Sequence, residues 1–182
     1  MIIESLATPV LEKDREELIA LLTECVAGGA SIGFLAPLAR GEAEAYWDKI
    51  IGDLRGGYRI LLAVRESESG DIIGSAQLAL EARANGRHRA EVQKVMVRPA
   101  ARRRGIASEL MRVVEAMARE RQVTLLFLDT SDSHAGARPL YEALRYVYVG
   151  GIPGYALNTH GKPEANAIYY KMIEAGGTVD AI

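Results

Sequence analysis

The chain has 182 residues, a length that suits one well-packed domain, so we expect a single domain over residues 1–182. Hydrophobic residues make up 49% and charged residues 25%, a balance typical of soluble globular proteins, which excludes a disordered or fibrous chain. The 22 basic and 24 acidic residues leave a formal charge of −2, so the chain has no general electrostatic attraction for nucleic acid.

Cysteine content and hydropathy indicate the compartment. Cys25 is the single cysteine, which rules out an internal disulfide, and the opening "MIIESLATPV" lacks the basic lead and apolar run of a signal peptide. No stretch approaches the roughly 18 uninterrupted apolar residues of a membrane span. We therefore expect a cytoplasmic protein with no membrane partner.

Two amphipathic helices are predicted before the first strand. Asp14 and Glu17 have the spacing of a capping box, an apolar stripe follows them, and Gly28-Gly29 is a stop signal. The segment "GEAEAYWDKIIGDLRGG" predicts a second helix, whose apolar face consists of Trp47, Ile50, Ile51 and Leu54.

The sheet is expected to begin after these helices. The segments "YRILLAVRE" and "DIIGSAQLAL" are rich in branched residues and joined by "SESG", which predicts an antiparallel hairpin. The segment "AEVQKVMV" predicts a third strand, with Val92, Lys94 and Met96 alternating against their neighbours, and it ends at Arg98-Pro99.

A strand, helix, strand unit follows. The helix stripe is formed by Ile106, Leu110, Val113, Val114 and Met117, and "VTLLFLD" predicts the next strand. A right-handed crossover makes this strand parallel to the one before the helix. Ser133 is a candidate cap for a short helix, and "YVYVGG" and "NAIYYKMI" predict closing antiparallel strands.

The junction "VRPAARRRGIASEL" joins the third strand to the long helix. The first amides of a helix have no internal partner, and the helix dipole makes that end attractive to anions. Gly105 permits close backbone approach, and three arginines, 102 to 104, add positive charge, so a diphosphate is the expected ligand. The alternative is a solvated charge run beside an ordinary helix start.

The segment "RRRGIA" resembles the Gln/Arg-x-x-Gly-x-Gly/Ala signature of the GNAT superfamily of N-acetyltransferases, and "LYEALRYVYVG" resembles that family's later helix and strand. The segments "QKVMVRPAARRRG", "LLFLDT" and "GYALNTHGKPEANAIYY" resemble its tabtoxin-resistance branch. The resemblance implies an α/β fold with a mixed, mostly antiparallel sheet, one central parallel strand pair, and helices on both faces.

The resemblance also implies acetyl-CoA as cosubstrate. It assigns pyrophosphate binding to Arg103, Arg104, Gly105, Ile106 and Ala107, with Arg102 and Ser108 in support, and the pantetheine arm to Val95, Met96 and Val97.

The chain departs from the family pattern at two places. Ser133 lies where many members have asparagine, and Leu144-Arg145-Tyr146 replaces Leu-Gly-Phe, which removes the easiest left-handed helix cap.

Acetylation of an amine needs a proton acceptor, because a lysine-like ammonium has a pKa of about 10.4. Glu91, near the start of the third strand, and Asp129, at the carboxyl end of the next, are candidate bases or ammonium ligands. Each is alternatively a solvated or backbone-bonding residue. The resemblance assigns Tyr141 to the coenzyme sulfur as a proton donor, the alternative being a core tyrosine.

No metal is expected, because the three histidines are widely spaced and one cysteine offers no zinc pattern. Phe34, Trp47 and His134 are weaker candidates for the acceptor pocket.

The expected activity is acetyl transfer to a primary amine by direct attack in a ternary complex, with a small amino-acid-like or peptide-like acceptor, antibiotics and toxins included. Alternatives are a protein N-terminal or lysine acetyltransferase, a non-catalytic acyl-CoA sensor and, disfavoured by charge, nucleic-acid binding. The apolar closing strands permit a homodimer.

Overall fold

A computed structural model describes residues 1–68, 70–132 and 136–174. Its helices are α1 Glu12–Ala27, α2 Arg40–Leu54, α3 Ile106–Glu120 and α4 Ala137–Ala143. Its strands are β1 Ile2–Ser5, β2 Arg59–Arg65, β3 Ile72–Leu80, β4 Arg89–Val97, β5 Leu125–Ser131, β6 Val147–Gly150, β7 Ala156–Leu157, β8 Pro163–Glu164 and β9 Asn166–Met172.

Seven strands form one sheet in the order β1-β2-β3-β4-β5-β9-β6, and β7 pairs with β8 in a small separate ladder. The β4–β5 pair is parallel and the other neighbours in the large sheet are antiparallel. The predicted fold class is therefore confirmed. The sheet does not begin at β2, however, because β1 adds an edge strand that is too short to show a periodic apolar pattern.

Helices cover both faces of the sheet. Leu61 and Ala63 of β2 pack in a core cluster with α1 and α2, whereas Ile60 and Leu62 pack on the opposite face with α3. Alternation along one strand thus supplies both cores, which is why the strand reads as continuously apolar. The buried apolar stripe of α3 consists of Ile106, Leu110, Met111, Val114 and Ala118.

The predicted capping box at the start of α1 is wrong. The helix begins at Glu12, three residues earlier than a cap at Asp14 implies, and its N-cap Leu11 has no side chain that can bond the free amides. Asp14 instead accepts a hydrogen bond from Arg65, and Glu17 accepts one from Arg98. Both acidic residues are used for contacts with the sheet, which the local pattern does not reveal.

A bulge interrupts the alternation in β4. Gln77 pairs with Gln93 but Ser75 pairs with Met96, so one extra residue is inserted between these pairs, and Lys94 has a left-handed φ of 49°. Val92 consequently packs on the α3 side and Met96 on the α1 side. The predicted common face for Val92, Lys94 and Met96 is therefore incorrect, because the inserted residue shifts the register.

The parallel strands separate beyond the start of β4. Their pairing ends at Glu91 opposite Phe127, while β5 continues along β9 as far as Ser131 opposite Asn166. The second half of β4 therefore has no neighbouring strand on the β5 side. This divergence opens the cleft in which the candidate site lies.

Candidate active site

The loop before α3 presents backbone amides to the cleft. Gly105, the N-cap, has a left-handed φ of 78°, and Arg103 has one of 64°. Gly105 has no side chain to cap the helix, so the first amides of α3 have neither a helical acceptor nor a side-chain acceptor from the N-cap. Alternating backbone conformations of this kind form concave anion sites.

These amides border a cavity of about 450 Å³. The loop and first turn of α3 contribute its basic end, formed by Arg102, Arg103, Gly105, Ile106, Ala107 and Ser108. The helix start is thus accessible to a ligand rather than covered by the protein. An open helix N-terminus beside a cavity of this size suits the phosphates of a coenzyme.

Arg104 departs from the expected arrangement. Its Nη1 lies 2.7 Å from Glu66 Oε1 in an exposed ion pair after β2, and the residue does not line the cavity. The guanidinium of Arg104 is therefore directed away from the expected phosphate position.

The end of β4 forms a wall of the same cavity through Val95, Met96 and Val97. The carbonyl oxygen of Val97 accepts bonds from Arg102 Nε at 3.4 Å and from Cys25 Sγ at 3.5 Å. Burial raises the pKa of the Cys25 thiol, so this cysteine is a protonated donor at neutral pH. These contacts hold the loop arginine and α1 against the strand.

A second cavity, of about 420 Å³, lies on the other side of the cleft and is more polar. Glu91 and Asp129 both line it, so the fold brings the two candidate carboxylates together at one opening. The polar residues that sequence reasoning missed here include Tyr46, Lys49, Arg59, Gln93, Lys94 and Glu164. Lys94 was recognisable only as a charge inside an apolar strand.

The two cavities share a boundary formed by Ser31, Ile32, Val95, Thr130 and Tyr141. The ring of Tyr141 packs edge-on against Tyr146 and at a tilt against Tyr169, with centroid separations of 5.8 and 5.4 Å. Burial raises the pKa of Tyr141, and the charges of Tyr169 and Asp129 act in the same direction. The phenol is therefore neutral at physiological pH and lies at the boundary between the cavities.

Hydrogen bonds fix one side of the second cavity. Arg59 Nη1 donates to Gln77 Oε1 at 2.7 Å and to Gln93 Oε1 at 2.8 Å. Gln77 Nε2 then donates to the Tyr46 hydroxyl at 2.8 Å. Burial raises the pKa of Tyr46. This chain of bonds orients Tyr46 and Gln93 before any ligand arrives.

The weaker substrate candidates have different locations. Trp47 is fully buried and lines neither cavity, so it is a core residue and its expected place in the acceptor pocket is wrong. Phe34 also lines neither cavity, but its ring packs edge-on against that of Tyr46, a residue of the second cavity, with ring centroids 5.3 Å apart. Ser133 and His134 lie outside the described residues.

Within residues 1–68, 70–132 and 136–174, no group of three or more histidine, cysteine, aspartate or glutamate residues is arranged to hold a metal ion. In the same ranges, none of the helices combines the length and apolar character needed to traverse a bilayer.

Comparisons with solved structures agree with this architecture. The chain is similar to a ribosomal-protein-alanine N-acetyltransferase from Brucella melitensis, with a TM-score of 0.76, 20% identity, and coverage of 95% of this chain and 100% of that one. It is also similar to a GNAT superfamily phosphinothricin acetyltransferase from Sinorhizobium meliloti in complex with acetyl-CoA, with a TM-score of 0.76, 18% identity, and coverage of 96% and 89%.

A third similar structure is yncA, a putative acetyltransferase from Salmonella typhimurium with its cofactor acetyl-CoA, with a TM-score of 0.74, 17% identity, and coverage of 100% and 99%. At these identities the similarities establish the fold. The model of the Acetyltransferase (GNAT) family matches residues 34–146, which is more than half of the chain. The chain therefore belongs to the GNAT family of acetyltransferases.

Proposed function

We propose that this protein transfers the acetyl group of acetyl-CoA to a primary amine by direct attack in a ternary complex. The observation that carries the proposal is the boundary between the two cavities. Tyr141 and Val95 line both of them, with the α3 amides on one side and the carboxylates of Glu91 and Asp129 on the other. Donor and acceptor can therefore meet there without a covalent enzyme intermediate.

On the donor side, the α3 amides and the Arg102 and Arg103 guanidinium groups would hold the pyrophosphate. Each charge-assisted hydrogen bond contributes about 1.5–3 kcal/mol, so a few such bonds give firm binding. The unpaired edge of β4 offers backbone groups to an extended ligand such as the pantetheine arm, in the manner of an added strand. Acetyl-CoA supplies the acetyl group as an activated thioester.

On the acceptor side, an ammonium must lose a proton before its nitrogen can form the new bond to the acetyl carbon. Asp129 or Glu91 would take that proton, directly or through a water molecule. As the carbon–sulfur bond breaks, the Tyr141 hydroxyl would donate its proton, or a hydrogen bond, to the departing sulfur. The products are an N-acetyl amine and the free thiol of coenzyme A.

We further propose a small amino-acid-like or peptide-like acceptor, with detoxification of an antibiotic or toxin as a candidate role. The resemblance to the tabtoxin-resistance branch supports this, as does an acceptor cavity of about 420 Å³, which suits a small molecule. The solved relatives named above include both a phosphinothricin and a ribosomal-protein-alanine acetyltransferase, so protein N-termini and lysines are the rival acceptors.

The direct test incubates the protein with acetyl-CoA and a broad panel of amines, amino acids, dipeptides and protein N-terminal peptides. Acetylated products are identified by mass spectrometry, and free coenzyme A thiol is measured in parallel. Stoichiometric product and thiol support the proposal. Saturable acetyl-CoA binding with no transfer to any acceptor would favour a non-catalytic sensor instead.

Two variants decide which carboxylate takes the proton. Asp129→Asn and Glu91→Gln each remove one charge while keeping the side-chain size. The variant that lacks the base should lose about 100-fold or more in kcat. This loss should be less severe at alkaline pH, where more of the amine is already neutral. A carboxylate that only binds the ammonium should mainly raise the acceptor KM.

We also propose a cytoplasmic location, which the single cysteine supports. A homodimer is permitted by β6, which lies at the edge of the sheet and exposes Val147, Tyr148 and Val149.

A further inference from the structure

Lys94 occupies an unusual place in the acceptor cavity. The β4 bulge puts it in a left-handed conformation, which costs a non-glycine residue about 1 kcal/mol or more. In a regular strand Lys94 would point to the face opposite Gln93. In the bulged strand both residues line the acceptor cavity. The strained backbone thus brings a positive charge into the cavity.

Aromatic rings flank the Lys94 ammonium. Its Nζ lies 5.8 Å from the ring centroid of Phe34 and 5.7 Å from that of Tyr46. A Cβ atom at Gly33 would lie only 3.3 Å from the same nitrogen, so the glycine leaves space beside it. The rings attract the cation electrostatically but accept none of its three N–H groups as a carboxylate would.

The other cations of this cavity already have acceptors. Arg59 donates to two glutamine side chains, and Lys49 pairs with Asp53 at 3.1 Å. Within the part of the chain that the structure describes, Lys94 forms no ion pair and no side-chain hydrogen bond. Burial lowers the pKa of Lys94, and the more distant carboxylates of Asp129 and Glu91 offset this only in part.

A buried lysine that merely packs against aromatic rings is the competing explanation. It does not account for the position of Lys94 on a cavity wall, beside a glycine and facing open space. A partly desolvated cation whose nearest carboxylates lie beyond ion-pair distance is unfavourable unless an anion is supplied. A ligand that enters the cavity can supply one.

We propose that Lys94 binds a carboxylate of the acceptor, while Asp129 and Glu91 face its amine. The acceptor is then an amine that carries its own carboxylate, as in a free amino acid or a short peptide with a free C-terminus. This inference rests on the proposed acetyltransferase activity and adds the charge pattern of the acceptor. In it, Lys94 acts as a specificity-determining residue and exchanges no proton with the acceptor.

The test compares matched pairs of acceptors that differ only at the carboxylate, namely amino acids and dipeptides with their C-terminal amides, together with polyamines. Acetyl transfer is followed by mass spectrometry and thiol release for the wild type and for Lys94→Met, a variant of similar shape without the charge. The wild type should prefer the acids. Lys94→Met should raise KM for the acids by about 10- to 100-fold, the effect expected for loss of one charge-assisted bond, with kcat and the amide reactions little changed.

Two further variants make the result specific. Lys94→Arg keeps a cation and should restore part of the acid preference. Lys162→Met removes a lysine charge from an exposed position that lines neither cavity, and should leave the preference unchanged. Thermal unfolding and acetyl-CoA affinity, measured on each variant, show whether the fold and donor site are intact. If Lys94→Met does not fold, Lys94→Gln replaces it.

The outcomes separate this inference from the activity on which it rests. Transfer to amides or polyamines as efficient as transfer to the acids would overturn the role of Lys94 and leave the acetyltransferase proposal standing. A preference for acids over amides that survives in Lys94→Met would also overturn the role of Lys94 and leave the acetyltransferase proposal standing. No transfer to any amine would overturn both.

Discussion

Asp14 of α1 accepts a hydrogen bond of 2.7 Å from Nη2 of Arg65 at the end of β2, and the two side chains are 10% and 9% exposed. Glu4 of β1 accepts a second bond from Arg65. One guanidinium therefore joins the first helix to the outer two strands. In the sheet, β3 separates β2 from the parallel strand pair.

Asp14→Ala should destabilise the protein, because it leaves Arg65 buried with Glu4 as its remaining carboxylate partner. Loss of one partner of a buried pair costs about 3–5 kcal/mol, and the remaining contact reduces this to about 2–3 kcal/mol here. Urea unfolding measures the change. Asp48→Ala, which breaks the more exposed pair with Arg15, is the matched control and should have a much smaller effect. Equal losses in both variants would contradict the structural role of Asp14.

Gly105→Asp should weaken acetyl-CoA binding. A Cβ atom at this position meets nothing within 4 Å, so a side chain has room although the left-handed φ strains it, and the change puts a carboxylate at the expected phosphate position. Repulsion between this carboxylate and the phosphates, together with the loss of phosphate contacts to the α3 amides, should raise the Kd for acetyl-CoA at least about 30-fold, as measured by calorimetry. Gly57→Asp is a close control, since Gly57 also has a left-handed φ, of 72°, and open space, but lines neither cavity. Unchanged affinity in a folded Gly105→Asp protein would remove the phosphate assignment.

Tyr141→Phe should slow turnover while acetyl-CoA affinity is kept, because the change removes the proposed proton donor and keeps the packed ring. Loss of a general acid typically costs about 100-fold or more in kcat. Tyr148→Phe is the control, since this exposed tyrosine of β6 lines neither cavity. Steady-state kinetics with the best acceptor measures kcat for both variants and the wild type. A Tyr141→Phe enzyme as fast as the wild type would exclude Tyr141 from the chemistry.

The pH dependence of kcat provides a separate test of Tyr141. Burial raises its pKa above the ordinary value of about 10, so the protonated phenol persists to higher pH than that of a free tyrosine. A group that acts in its protonated form loses activity as the pH rises through its pKa. The wild type should therefore show no alkaline decline attributable to Tyr141 below about pH 10. A decline near pH 9 that is absent from Tyr141→Phe would contradict this assignment.

Arg145→Gly should stabilise the protein. Arg145 has a left-handed φ of 62° after α4, where Tyr146 N donates to Tyr141 O and Arg145 N donates to Glu142 O, both at 2.9 Å. This Schellman arrangement favours glycine, and we expect a gain of about 1 kcal/mol in the free energy of unfolding. Arg145→Ala keeps the unfavourable conformation and should change stability little. A destabilised Arg145→Gly variant in urea unfolding would show that the arginine side chain outweighs the backbone strain.

Local patterns were sufficient for most of the fold. The apolar stripe after Gly105 predicted α3, and the two apolar segments around it predicted the parallel pair β4 and β5, because a crossover helix leaves few other solutions. A strong apolar periodicity is a property of neighbouring residues, so it can be recognised without knowledge of the rest of the chain. The four-residue β1 has no such pattern, since its partner β2 defines it through backbone bonds.

The bulge at Lys94 could not be predicted in the same way. An extra residue in β4 exists only relative to the register of β3, and register is a relation between two segments. Trp47 shows a similar limit. Its place on an amphipathic helix was predicted, but only the packing of α1, α2 and the sheet decides that it is fully buried.

The amino-acid sequence by itself determined the fold class and the glycine turn and positive charge of the loop before α3, because helix periodicity, turn residues and local charge act over a few residues. Only the tertiary structure decided that Arg104 pairs with Glu66, that Glu91 and Asp129 line one cavity, and that Lys94 faces it. Those arrangements depend on where strands separate and shift register. They bring together residues that are far apart in the chain, so no local pattern encodes them.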